Sequence, residues 1–330
     1  MTTATPRPVA ILGAGNMGTA LAQQIAGNGH PVRAWSIEPD VLAEIRESHL
    51  NTKYLEGIQL HAGIEPVSDI AEAIGGAALI IISVPSQVVA SVADDVAKHA
   101  SSGQIFLNVA KGIFKGRRMS EVLTGALKGS GPIVGSMGGP AIAIEMAGGV
   151  PTAIIVGFSD DAASATVQAT LQNESLKVQT TSDVTGLELC SSMKNVYAIA
   201  LGMGDGLGYG TNTKAFLASI ALEEMAAICT GAGGLQETAY GLAGIGDLLT
   251  TGFSQHSRNR TLGDKMGSGG DWEHFAKENT VEGIEACNAI RDLTLGQGYK
   301  THLLDTIYEA LFLGRSPEDS IRHFFSEFAY

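Results

Sequence analysis

Four short stretches of the chain carry polar residues in otherwise apolar surroundings: NVAKG at 108–112, SSMKNV at 191–196, GIGDLLTT at 244–251 and SRNR at 257–260. Lys194 is the sharpest case. Leu187, Cys190, Lys194, Ala198 and Leu201 fall at helical steps on one stripe, and Leu189, Met193, Val196 and Ala200 make another, so this helix is apolar nearly all round and reads as central. An ammonium inside such a helix costs several kcal/mol unless it is paired or faces a water-filled cleft. Asp247 is the candidate partner, with no other formal charge between Glu237 and Arg258. A carboxylate on Lys194 would hold the ammonium for proton transfer to a substrate oxygen. The competing readings are a lysine that snorkels to solvent and an acid that merely favours a helix start.

Lys111 lies just past an expected strand, where the ligand crevice of an open parallel sheet forms; a solvated loop lysine is its alternative. Arg258 beside Asn259 sets a planar guanidinium next to an amide, which suits a phosphate or carboxylate; a surface arginine with a turn asparagine would look the same. Together Lys111, Lys194, Arg258 and Asn259 give an acidic chain, net charge −13, a local positive pocket of the kind a small phosphorylated substrate requires. With no long Lys/Arg run to offset that charge, nucleic acid and anionic membrane surfaces are not expected partners.

Gly13, Gly15 and Gly18 in ILGAGNMGTALAQQIAGNGH follow one expected strand and open an expected helix. In a GxGxxG turn the first glycine permits the tight bend, the second lets backbone approach a pyrophosphate, and the third packs helix on strand. The helix N-terminus then faces the phosphates. A lone GxGxxG carries little weight, but here strand, glycines, helix and a second strand arrive within about thirty residues. A dinucleotide is therefore the expected cofactor. NAD-preferring sites usually place an acid about 20 residues beyond the glycines to bind the ribose. That position reads Trp35-Ser36-Ile37, with Glu38 two places late. The small hydroxyl of Ser36 leaves room for a 2′-phosphate, which favours NADP(H) and leaves NAD(H) open.

These groups must be mounted on something, and 330 residues are too many for one ordinary core. The expected architecture is an α/β Rossmann-type N-terminal domain over 1–183 followed by an all-α C-terminal domain over 184–330. Strands are expected at 9–12, 31–35, 78–84, 104–110, 132–136, 152–157 and 176–181, in a parallel sheet covered by helices on both faces. Helices are expected over 184–203, 212–232, 235–251, 259–267, 280–297, 301–313 and 316–328, separated by Gly-rich turns. A site is expected in the cleft between the domains. Cys190, Cys229 and Cys287 form no CxxC and no zinc-ligand spacing, and read as buried thiols of a reducing cytosol; no metal is expected. The opening MTTATPRP has one Arg and no apolar run, so no signal peptide is expected there, and no stretch has the ~18 apolar residues of a membrane span.

Taken in order, GAGNMGTALA (13–22), VPS (84–86), AKG (110–112), GGPAIAIE (138–145), MKNVYAIALGMGDGLGYGTNTKA (193–215), GLAGIGDLLTT (241–251), SRNR (257–260) and VEG (281–283) resemble the NAD(P)-dependent glycerol-3-phosphate dehydrogenase family over nearly the whole chain. The resemblance implies reversible hydride transfer between NAD(P)H and dihydroxyacetone phosphate, giving sn-glycerol 3-phosphate for phospholipid synthesis, in a cytoplasmic homodimer. By motif it makes Lys194 the proton donor or acceptor at the C2 oxygen, with Asp247 beside it and Lys111 in contact with substrate and cofactor. Asn195, Thr251, Ser257, Arg258 and Asn259 would line the substrate phosphate or the nearby cofactor, with Gly139 and Ala143 in the loop between them. Gly13, Gly15, Asn16, Met17, Gly18, Ser36, Pro85 and Glu282 would border the dinucleotide. The chain departs from the family at Gly138-Gly139-Pro140-Ala141, where hydroxyl residues are common, and at Ile144, where many members have lysine. Related 6-phosphogluconate, ketopantoate and β-hydroxyacid dehydrogenases share the two-domain plan and a lysine on the first helix of the second domain. GDLLTT and SRNR favour the glycerol phosphate enzyme over these, and competent residues at every site position speak against a catalytically silent dinucleotide-binding sensor.

Overall fold

A computed structural model describes residues 7–327 of the chain. Most of the opening MTTATPRP and the last residue of the helix expected to end at 328 lie outside the described residues. Contacts divide the chain into two compact units, one formed by residues up to Ala110 together with Met119–Val184, the other by Lys111–Arg118 together with the chain from Thr185 onward.

The strands are β1 (Val9–Leu12), β2 (Val32–Trp35), β3 (Ile64–Val67), β4 (Leu79–Ile82), β5 (Ile105–Asn108), β6 (Ile113–Phe114), β7 (Arg117–Arg118), β8 (Ile133–Gly138), β9 (Thr152–Gly157) and β10 (Leu176–Thr181). The first unit holds one eight-stranded sheet of order β10-β9-β8-β5-β4-β1-β2-β3. From β3 across to β8 every pair is parallel, as in a Rossmann sheet. Runs such as Leu79–Ile82 are buried at every position because helices cover both faces. All seven expected strands are present, with two differences. β9 runs antiparallel to β8, and β10 follows β9; an apolar run encodes burial and not direction, so TAIIVG could not reveal it. β3 was not expected because Ile64-Glu65-Pro66-Val67 is short and carries a proline, which an edge strand tolerates.

The second unit is helical apart from the β6–β7 hairpin. Lys115 and Gly116 both have positive φ, 50° and 73°, the geometry of a two-residue type I′ turn. The long helix Val184–Gly206 is buried at every position from Gly186 to Gly204. Against it packs Arg258–Gly267, backbone on backbone. A Cβ at Gly202 would overlap the carbonyl of Arg260, one at Gly206 the carbonyl of Asp264, one at Gly263 the carbonyl of Ile199 and one at Gly267 the carbonyl of Met203. Gly263→Ala is therefore expected to cost about 1–3 kcal/mol by overpacking, read as a fall in the denaturant midpoint.

Two expected helices are revised. The stretch 235–251 breaks into Gln236–Tyr240, a π-helical turn at Leu242–Gly246, and Asp247–Phe253, because Gly241, Gly244 and Gly246 weaken a continuous helix. The helix expected at 280–297 is shorter, Glu282–Thr294, and Trp272–Glu278 is an extra helix whose signal was Asp271, capping through the His274 N–H. Among the described residues no helix is long and apolar enough to cross a membrane.

One acid inside the second unit serves structure. Glu224 on helix Thr211–Gly231 accepts the Leu303 and Leu304 N–H groups at 2.7 and 3.0 Å and the Tyr197 hydroxyl at 2.9 Å, capping His302–Phe312 from a distance. Burial pushes its carboxyl up to about 7, against the pull of those donors. The folded state therefore holds this proton more tightly than the unfolded chain. Its contribution to stability is full below pH 4.5 and is lost as the pH rises through about 7. Glu224→Ala, which orphans three donors, is expected to cost about 2–4 kcal/mol in urea melts.

Candidate active site

The centre of the second unit's polar residues is Asp247, the first residue after the π-helical turn and 2% exposed. Its two carboxylate oxygens hold two different ammonium groups: Oδ1 accepts from Lys194 Nζ at 2.7 Å, and Oδ2 accepts from Lys111 Nζ at 2.6 Å. Lys194 also donates to Thr251 Oγ1 at 2.7 Å, one turn along the same helix from Asp247. The sequence asked whether Lys194 is paired or snorkels; it is buried and paired. An ammonium has three donors, and Asp247 and Thr251 take two of those of Lys194.

The electrostatics follow from that geometry. Burial lowers Lys194 to about 8, the neighbouring Lys111 charge pushes the same way, and Asp247 offsets only part of the effect. Burial also works against the charge on Lys111, but Asp247, with a smaller contribution from Glu282, overrides it and raises that lysine. Burial opposes ionisation of Asp247 too, yet the two ammonium groups win and its carboxyl lies below the usual range. One lysine is thus poised near neutrality while its neighbour stays charged.

A second network adjoins the first through residue 195. The Asn195 amide donates to Glu282 Oε2 at 3.0 Å and its oxygen accepts from Asn259 at 2.9 Å; the Asn259 oxygen accepts the Gly283 N–H at 2.9 Å. Asn195, Asn259 and Glu282 are thereby locked to one another, a linkage the sequence does not announce. Ser257 caps Arg258–Gly267 by accepting the Arg260 N–H at 3.2 Å. Arg258 itself is exposed, and no carboxylate among the described residues pairs with it. Its neighbour Arg260 is tied to Asp205 at 2.7 Å instead. Glu188, six residues before Lys194 in the same helix, is buried as well, and its charge is the only sign of it in the sequence.

In the first unit, Gly13, Ser36, Pro85 and Gly139 follow the C-terminal ends of β1, β2, β4 and β8. Gly13 has φ of +111°, and a Cβ there would overlap the Ser83 carbonyl; a Cβ on Gly18 would overlap the Gly13 carbonyl. Gly15, by contrast, faces open space at the start of helix Asn16–Gly27, which no side chain caps and whose first turn has no acid. A tight turn, an open cradle and uncapped N–H groups fit a pyrophosphate. Asn16 donates to the Tyr54 carbonyl at 2.8 Å, and Met17 packs against the core of this unit. Ser36 is buried and its hydroxyl accepts the Glu38 N–H at 3.1 Å. The Glu38 carboxylate is bound by Lys53 and Tyr54, which lowers its carboxyl. Ala143 opens the short helix Ala143–Ala147, with Ile144 exposed beside it.

Residues 8–164 match a family model described as NAD-dependent glycerol-3-phosphate dehydrogenase N-terminus, and residues 183–322 match the corresponding C-terminus model. A glycerol-3-phosphate dehydrogenase, NAD(P)+, of Chlorobium phaeobacteroides is 36% identical over 318 residues, covering 95% of this chain and 95% of that protein. One from Moorella thermoacetica is 36% identical over 317 residues, covering 95% and 94%. The crystal structure of glycerol-3-phosphate dehydrogenase from Coxiella burnetii superposes with a TM-score of 0.92 at 30% identity, over 98% of this chain and 100% of that one. A ketopantoate reductase from Ralstonia eutropha reaches 0.64 at 17% identity over 95% and 99%, a likeness of fold alone.

Proposed function

The chain belongs to the NAD-dependent glycerol-3-phosphate dehydrogenase family, and from that premise we propose the roles of its residues in reducing dihydroxyacetone phosphate to sn-glycerol 3-phosphate and in the reverse reaction. It is an NAD(P)-dependent oxidoreductase acting on a CH–OH group. The dinucleotide, when bound, supplies or accepts the hydride at C2 of the substrate. Lys194 donates a proton to the C2 oxygen as the ketone is reduced, and takes it back in the oxidation. Asp247 and Thr251 orient that proton on a rigid helical mount, so little ordering remains to be done when substrate arrives. Lys111 stays charged throughout and stabilises the negative charge that grows on the oxygen. Arg258, unpaired and exposed, takes the substrate phosphate, while Asn195, Asn259 and Glu282 hold the wall behind it. The observation that carries this reading is a single buried carboxylate shared by two lysines, one of which is also held by Thr251.

The nucleotide groups are assigned in the same way. Gly13, Gly15 and Gly18, with Asn16 and Met17, hold the pyrophosphate, and Pro85, Gly139 and Ala143 border the rest of the cofactor. NADP(H) is favoured over NAD(H): Ser36 leaves room for a 2′-phosphate, and the Glu38 carboxylate beyond it is paired with Lys53. On the family resemblance the protein is expected to act in the cytoplasm as a homodimer, the latter to be checked by light scattering.

The test is oxidation of NADPH and of NADH by the purified protein with dihydroxyacetone phosphate and, in parallel, unphosphorylated dihydroxyacetone. Rapid oxidation with the phosphorylated ketone alone, and a lower KM for NADPH, is the expected outcome. Binding of NADPH without reduction of either ketone would refute the assignment.

A further inference from the structure

The segment that carries Lys111 is fastened to helix Val184–Gly206 at both of its ends. At the near end the Gly112 N–H donates to Ser192 Oγ at 3.0 Å, and that hydroxyl donates in turn to the Glu188 carbonyl at 2.9 Å. At the far end the Arg118 guanidinium lies 3.7 Å from the Glu188 carboxylate. Glu188 and Ser192 stand one helical turn apart on one face, so both fastenings fall on a single turn. Between them β6 pairs with β7, Ile113 opposite Arg118, and closes the segment on itself. Ser192 is wholly buried and Glu188 nearly so, ahead of the buried Lys194 and Asn195 of the same helix. Gly112, at φ of +128°, is the residue next to Lys111, so the Ser192 contact fixes the backbone from which that lysine reaches Asp247.

We propose that Ser192 and the Arg118–Glu188 pair are positioning residues that hold the Lys111 ammonium against Asp247 and thereby govern when Lys194 releases its proton. The charged groups around Lys194 are Asp247, from helix Asp247–Phe253, and Lys111, from the hairpin segment; Glu282, at the head of helix Glu282–Thr294, acts on Lys111. Drawing Lys111 away removes a like charge from Lys194 and leaves Asp247 to serve Lys194 alone. Both changes favour the protonated amine, and both fade as charges separate. The clamp is thus a device for keeping the donor acidic, and its role rests on Lys194 being the proton donor.

The test reads the two claims separately. In lysine-labelled protein the Lys194 side chain is titrated directly by carbon NMR, its signal assigned by its loss in Lys194→Arg, for wild type, Ser192→Ala and Arg118→Met. The high-pH limb of kcat/KM for ketone reduction is measured on the same proteins. In both clamp variants the Lys194 midpoint is expected to climb from about 8 toward 10.5, the kinetic limb to follow it, and Arg118→Lys to restore the wild-type midpoint. A midpoint unchanged in both variants overturns the clamp. A midpoint that moves while the kinetic limb stays in place upholds the clamp and removes Lys194 from the donor role. Should Ser192→Ala not fold, Arg118→Met, at the more exposed end, decides the question alone.

Discussion

Lys194→Ala is expected to lower kcat for dihydroxyacetone phosphate reduction by about 10²–10⁴-fold, the usual contribution of a positioned general acid. Dinucleotide affinity should stay near wild type, because every residue assigned to the pyrophosphate lies in the other unit. The loss should fall mainly on kcat, since the proton is passed in the transition state and not in the ground state. The pH dependence gives the same residue a second signature. With its lysine lowered to about 8, the enzyme should reduce the ketone at a constant kcat/KM below that pH and lose activity tenfold per pH unit above it. Oxidation needs the neutral amine, so its rate should rise through the same region and level off above it. Steady-state rates in both directions across pH 6 to about 10 would show the two limbs crossing, and their absence in Lys194→Ala would assign them.

Asp247→Ala is expected to be damaging twice over. Its carboxylate is the common partner of two buried ammonium groups, and removing one member of a buried charge cluster costs about 3–5 kcal/mol because the others are left uncompensated. Urea melts should report that loss. Among the survivors, the two lysines repel one another without a mediator, so the kinetic limb of Lys194 should shift to lower pH and reduction should fail earlier on the alkaline side. Asp247→Asn keeps the shape and some hydrogen bonding, and should recover part of the stability while leaving the limb displaced. A variant with wild-type melts and an unmoved limb would show that Asp247 is a bystander.

The chemistry was readable where a residue type clashed with its surroundings. Lys194 stood out as an ammonium in an apolar helix, and Asp247 as a solitary charge in a Gly-rich stretch, before any geometry was known. What could not be read was who shares with whom. Nothing in NVAKG says that Lys111 takes the second oxygen of Asp247, since the contact joins residues 136 positions apart. The Asn195–Asn259–Glu282 chain is hidden for the same reason, since Asn259 and Glu282 lie 64 and 87 positions from Asn195. In the sheet, burial fixed which runs were strands, but direction depends on how the connection folds, and β9 reversed unseen. The break in 235–251 was signalled by glycines that also occur in intact helices. Arg118 leaves little to read because a hairpin with two-residue strands carries almost no periodic trace.

The glycine contact between Val184–Gly206 and Arg258–Gly267 bears on how this part of the molecule breathes. Where helices meet through side chains, rotamer hops let one loosen while the other stays formed. Here carbonyls occupy the space a methyl would need, so neither backbone can open without disturbing the other. Amide protons along 196–206 and 259–267 should therefore exchange with solvent deuterium as one cooperative block, at the slow end of the range for the whole unit. Helix Trp272–Glu278, which has no buried residue, should exchange far sooner. Lys194 and Arg258 are rooted at the edge of the slow block, so the distance between proton donor and anion-binding residue is held by the part of the unit that opens last.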